Sequence, residues 1–373
     1  GKGGKPTPTL SYWCFNPGLS MNELAGLGIR SILLTSGTLS PLDSFAYELC
    51  LPFPVRLENP HVIDPRQVYI GVVSKGPAGI SLNSSFQKRD SPEYKSDLGN
   101  LIVNFARTTP DGLLVFFPSY RVLEGCLQHW KNEFTSGSSI WDRIVQHKWA
   151  VIEPRSSAAF GQAAADFKAK LDDSSASGAV FFAVCRGKVS EGLDFSDRAG
   201  RAVIITGIPY PMKMDPKVRL KQQVLDEEAA KLRSSGKTAK ALGGSQWYSQ
   251  QALRAVNQAL GRVIRHQNDY GAILLCDERF GARETLGQLS RWLRDKVQSP
   301  PTFGAAAAQL QKFFREMKAD PKLSNANNGK PSKMSQAVKW RTIDPQLPDA
   351  QPTSSVDTSG LAAMSKTMIC VTA

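Results

Sequence analysis

No run of apolar residues in this 373-residue chain is long enough to cross a bilayer. The first ten residues are rich in Gly, Lys and Pro, with no apolar stretch behind their charges, which excludes a secretory signal. They also lack an initiator Met, so a fragment is expected. Cysteine is sparse: the six are Cys14, Cys50, Cys126, Cys185, Cys276 and Cys370, and none forms a C-x-x-C pair. The four histidines do not cluster with them. No metal site and no disulfide framework is expected, and a reducing, intracellular setting follows. Acidic residues are short as well. Asp+Glu number 33 against 46 Lys+Arg, a formal net charge of +13. That surplus points to a polyanionic partner, nucleic acid before membrane.

What is present reads as an α/β protein. Short apolar strands are expected at 31–34, 68–73, 113–117, 150–152, 179–184, 202–208 and 272–276. Helical spacing falls between them at 97–107, 120–130, 161–171 and 245–266. Continuous apolar strands alternating with helices predict a parallel sheet covered on both faces. From residue 324 onward the chain turns to Asn, Ser, Pro, Thr and Gln without periodicity, and 324–373 reads as a disordered tail.

Four segments carry chemistry. In the first, Gln246 to Arg265, a helical wheel puts Ala252, Val256, Ala259, Leu260, Val263 and Ile264 on one side. Gln258, Gly261, Arg262 and Arg265 fall together on the other. Two convergent guanidiniums suit a phosphate, and Gly261 leaves room between them. The competing reading is a solvated basic face. The spacing Gln-x-x-Gly-Arg-x-x-Arg is that of motif VI in superfamily 2 helicases, where such arginines meet the γ-phosphate of ATP. The second segment, Cys185 to Phe195, follows an apolar strand, where open α/β sheets hold ligands. Arg186 and Lys188 suit phosphates; Glu191, Gly192 and Asp194 supply acceptors and a flexible backbone. An ordinary polar strand-to-helix loop is the competing reading. In the third, Thr35, Ser36, Gly37 and Thr38 follow a strand, as a coupling motif III or as a simple Ser/Thr turn. In the fourth, Ser119 and Tyr120 stand at a strand end and a helix start, suited to a backbone phosphate. Tyr248 and Trp247 could stack a base or merely pack. Ser235 to Thr238 imitates the end of a P-loop, but Lys231 stands where the first glycine belongs.

The order Thr35-Ser-Gly-Thr-Leu-Ser-Pro41, Phe116-Phe-Pro-Ser-Tyr120, Cys185-Arg-Gly-Lys-Val-Ser-Glu-Gly-Leu-Asp-Phe195, Gly207-Ile-Pro-Tyr-Pro211 and Gln258-Ala-Leu-Gly-Arg-Val-Ile-Arg265 resembles the XPD/DinG-type iron–sulfur DNA helicases. Tyr12 to Gly18, Leu57 to His61 and Met214 to Lys217 narrow the resemblance to one branch of that family. It spans roughly residues 10–320. It implies a RecA-like second motor lobe at 66–295, the end of the first lobe at 1–65 and a helical extension at 296–323. The implied activity is a nuclear, ATP- and Mg²⁺-dependent 5′-to-3′ DNA helicase of repair, recombination control and telomere maintenance. It would act on single-stranded DNA and DNA secondary structures. The resemblance makes Arg262, Arg265 and Gln258 catalytic, and puts Glu191, Gly192, Asp194 and Gly261 at the nucleotide. Arg186, Lys188, Ser119, Tyr120 and Tyr248 fall on the DNA strand. The family's 4Fe–4S cluster sits on four cysteines in its first half. No P-loop, acidic metal box or cluster cysteine set occurs in this sequence, so the chain is expected to need an upstream lobe. The alternative is a non-catalytic single-strand or partner-binding module from a truncated paralogue or splice form.

Overall fold

The computed structural model describes residues 10–36, 39–58, 63–135, 137–173, 176–187, 195–234, 241–324 and 367–371. Seven strands build the main sheet: β3 (Val68–Val72), β4 (Gly112–Phe117), β5 (Trp149–Ile152), β6 (Ala179–Val184), β7 (Ala202–Ile205), β8 (Gly271–Leu275) and β9 (Val297–Gln298). Their order is β9-β3-β8-β7-β4-β6-β5, with every pairing parallel. Strands buried on both faces need no polar alternation, which is why Leu113–Phe117 reads as an unbroken apolar run.

Alternate residues of these strands feed two cores. Leu113, Val115, Phe117, Val180 and Phe182 point to one. There α3 (Pro92–Thr108), α4 (Tyr120–Asn132), α5 (Ile140–His147) and α9 (Phe303–Ala319) supply Leu101, Phe105, Trp130, Ile144 and Phe313. Leu114, Phe116, Phe181 and Ala183 point to the other. There α6 (Ser157–Asp172) and α8 (Gly244–Leu260) supply Phe167, Val256 and Leu260. Between β7 and α8 runs α7 (Pro216–Ser234). No helix among the described residues is long and apolar enough to cross a membrane.

A smaller unit precedes this sheet: α1 (Gly18–Gly26), β1 (Ile32–Ser36), α2 (Leu42–Leu49) and β2 (Val55–Glu58). Residues 367–371 form β10 (Thr367–Val371), a strand lying parallel between β1 and β2. β1 and β2 do not pair with each other, so a third backbone is needed to satisfy their facing edges. The rest of the tail, 325–366, lies outside the described residues.

Alkali should expose the cost of this core. Burial pushes proton loss upward at Cys126 and Cys185 to about 12, at Tyr69 to about 12, and further at Cys276 and Tyr94. Tyr120 also rises to about 12, through burial and then the Glu153 charge. The unfolded chain ionises these groups first, near their ordinary 9.0 and 10.0. Stability is therefore lost as pH climbs past those values. Lys148 acts in the opposite direction: burial lowers it to about 8 from 10.5, so its neutral amine favours the folded state in between. Six groups outweigh one. The urea midpoint should change little up to pH ~9 and fall steeply above ~10. A midpoint that stays level to pH ~11 would show that these groups do not titrate on unfolding.

Candidate functional site

In a parallel sheet every strand ends on the same edge, and the loops there meet. The carboxyl ends of β4, β6 and β7 bring Ser119–Tyr120, Arg186–Gly187 and Gly207–Tyr210 to one edge. Ser119 caps α4, its Oγ accepting from Val122 N at 3.4 Å. Tyr120 is half-buried with the Arg155 guanidinium 4.9 Å from its ring centre. Glu153, buried beside it, accepts from Val184 N at 2.8 Å. A Cβ on Gly187 would stand 2.3 Å from the Glu153 carboxylate, so a larger residue there would have to push that carboxylate aside. The Arg186 guanidinium donates to Gln251 O at 3.0 Å, one turn along α8 from Tyr248; burial lowers its pKa. Tyr248 donates to Pro211 O at 2.8 Å. Burial, then the neighbouring Tyr210, raises its pKa. Arg186 and Tyr248, singled out separately in the sequence, are thus brought together.

The arginine segment sits elsewhere. Helix α8 ends at Leu260, not at 266, and this corrects the wheel. Gly261 is the C-cap, its N–H bonded to Asn257 O at 3.0 Å. The next N–H groups tighten to i−3 partners: Arg262 to Ala259 O and Val263 to Leu260 O, each at 3.2 Å. Asp269 then takes the Arg265 N–H at 3.0 Å, while Val263 and Ile264 bury in the core. The apolar side of the wheel survives, but Arg262 and Arg265 are presented by a turn beyond the helix. Gln258 is exposed on the last helical turn, Gly261 and Arg262 are half-buried, and Arg265 is exposed.

This turn lies at the amino edge of the sheet, because α8 runs antiparallel to the strand that follows it. At about 1.5 Å per residue, its 17 residues span about 25 Å from one edge to the other. The short turn Asp197–Gly200, just after the second motif, meets the arginine turn there. A Cβ on Gly200 would come 3.1 Å from Arg262 O, and His266 Nε2 lies 2.8 Å from Asp197 Oδ1. Asp197, His266 and Asp269 form a tight group of metal-ligand types. Asp269 is already paired with Arg201 at 2.8 Å, and burial rather than that partner sets the upward direction of its pKa. Lys188, Glu191, Gly192 and Asp194 fall outside the described residues, as do Gly37, Thr38 and the P-loop decoy at 235–238. Thr35 and Ser36 end β1.

Sequence reading missed how the small unit grips α8. Gln250 Nε2 donates to Ser44 Oγ at 2.7 Å, and Arg254 pairs with Glu48 at 3.0 Å. The Arg254 guanidinium also lies 5.8 Å from the Phe45 ring centre. The signal was the i, i+4 spacing on both helices, Ser44/Glu48 and Gln250/Arg254, which lets two parallel helices meet at two successive turns.

The chain is 58% identical over 317 residues to the regulator of telomere elongation helicase 1 homolog of Oryza sativa subsp. japonica, covering 84% of this chain and 31% of that protein. It is 49% identical over 306 residues to the regulator of telomere elongation helicase 1 of Homo sapiens, covering 82% of this chain and 24% of that one. The chain thus spans less than a third of these relatives. The solved structure of S. tokodaii Xpd4 superposes at TM-score 0.40 and 18% identity, over 62% of this chain and 38% of that chain. The helicase C-terminal domain family matches residues 102–296, more than half of the 373, and the chain belongs to that family.

Proposed function

We propose that this chain is the C-terminal motor lobe of a nuclear, ATP-dependent 5′-to-3′ DNA helicase acting in repair, recombination control and telomere maintenance. In this reading residues 1–65 end the first lobe, 66–295 form the second and 296–323 extend it. The observation that carries it is α8 itself. One helix begins beside Arg186 and Tyr248 and ends at Arg262 and Arg265, so a shift at one sheet edge is felt at the other.

The residues present suit part of a nucleotide site. Arg262 and Arg265 offer fixed positive charge on a turn braced by Asp269 and the buried Val263 and Ile264. ATP with Mg²⁺ supplies, when bound, the phosphoanhydride whose cleavage drives movement. Arg262 and Arg265 would meet the phosphate charge, and Gln258 would orient a neighbouring group. Gly261 permits close approach; Glu191, Gly192 and Asp194 belong to the same reading. The phosphate cradle would come from an upstream lobe, for no P-loop sequence occurs here. A 4Fe–4S cluster does not fit this chain. Cys126, Cys185 and Cys276 are each buried on separate elements with proton loss pushed up. Among the described residues no cysteine joins a group of three metal-ligand side chains.

At the other edge Arg186, Ser119, Tyr120 and Tyr248 would track a single strand, mostly through its backbone, and Lys188 belongs to the same reading. The purified chain should bind single-stranded oligonucleotides with an affinity that drops as salt rises. It should hydrolyse no ATP, with or without DNA. Turnover by the chain alone would reveal a phosphate site of its own and end the half-motor reading.

A further inference from the structure

The proposed strand track leaves one exposed surface unexplained, at the carboxyl edge just past β7. Tyr210 follows the Gly207–Pro209 turn and stacks on Tyr248, ring centres 5.2 Å apart and planes 17° from parallel. Tyr248 is pinned from behind by its bond to Pro211 O. Tyr210 itself is 39% exposed, and Met212 and Met214 beyond it are 73% and 71% exposed. Large apolar groups standing together in water are unusual on a soluble lobe and mark a contact surface.

The surrounding charge says what kind of contact. Arg186 is bonded to Gln251 O, one turn along α8 from Tyr248, and Lys213, Lys217 and Arg219 are exposed on the same loop and helix start. No carboxylate among the described residues forms an ion pair with any of these four. A ligand with flat apolar faces strung on negative charge matches both features, whereas an apolar peptide face would leave the cations unmatched. Single-stranded nucleic acid has that chemistry.

We propose that Tyr210, backed by Tyr248, is a base-stacking platform for single-stranded DNA, with Arg186 and the Lys213–Arg219 cations on the flanking phosphates. This rests on the single-strand reading of the same edge and names the residue that holds a base. Tyr248 serves as the rigid backing: its hydroxyl is committed to Pro211 O, so the pair presents one face. Stacking of this kind is tolerant of sequence, because every base has a π-face.

The test compares a fluorescein-labelled oligo-dT of about ten nucleotides with an abasic oligonucleotide of the same length, by anisotropy. Tyr210→Leu keeps apolar bulk against Tyr248 but removes the ring; Tyr210→Phe keeps the ring. The leucine variant should bind oligo-dT about tenfold more weakly and the abasic strand unchanged. The phenylalanine variant should match the original on both. Thermal unfolding of each variant reports whether the loop still folds. Equal loss on both strands, or no loss on either, would overturn the platform while leaving strand binding intact. If the unsubstituted chain binds neither oligonucleotide, the single-strand reading itself fails.

Discussion

Arg262→Ala should lower single-strand-stimulated ATP hydrolysis by about a thousandfold once this chain is joined to the upstream portion of a helicase relative. That is about 4 kcal/mol of transition-state stabilisation, within the range of an arginine finger. The geometry favours Arg262 over Arg265 for the larger effect. Arg262 is half-buried, and its backbone is hemmed in by Gly200. A side chain already held in place loses less entropy on meeting a phosphate. Arg265 is exposed, and its backbone N–H is tied to Asp269. Arg262→Lys should not restore the rate, since an ammonium cannot reproduce the planar fork. Oligonucleotide binding should be unchanged in Arg262→Ala, because the arginine turn and Tyr248 sit at opposite ends of α8. Full turnover in the variant would remove Arg262 from the phosphate role.

Asp269→Ala should cost about 3–5 kcal/mol of folding stability, read from urea unfolding. Asp269 and Arg201 are 0% and 1% exposed, with their charges 2.8 Å apart. The guanidinium also lies 4.0 Å from the Tyr270 ring centre and donates to Tyr270 O at 2.9 Å. Removing the carboxylate strands a buried cation, and that penalty dominates. It also frees two backbone donors, of Arg265 and Tyr270, that the carboxylate now satisfies. Replacing both partners, Asp269→Leu with Arg201→Met, should recover the part of the loss due to the stranded charge, while the two freed backbone donors keep the remainder. A single-variant cost under about 1 kcal/mol would mean that water reaches the pair.

The strands of the main sheet were legible for a simple reason. β4, β6, β7 and β8 are buried on both faces, so their sequences are continuous apolar runs, and their shortness marks them as strands rather than buried helix. β2 was not legible: three of its four residues are exposed, and it sits in a Pro-rich connection. The length of α8 was misjudged because a helical wheel registers only local spacing. Gly261 caps the helix, and the turn beyond it is held by Asp269, itself fixed through a long-range pairing with Arg201 that no local pattern carries. β10 was illegible for the same reason. Five residues from a polar tail become a strand only where β1 and β2 leave an open slot.

By itself the sequence determined the α/β class, the family and the residue types available for phosphate and strand. Those properties are local: apolar runs, turn residues and fixed motif spacing act within a few residues of one another. Tertiary structure alone decided which of these residues meet. Parallel strands gather the loops after β4, β6 and β7 at one edge, and the antiparallel run of α8 carries the arginines to the other. Tyr210 and Tyr248, 38 positions apart, become one stacked surface. The physical reason is that sheet order and helix direction are set by packing both cores at once, a condition on the whole chain.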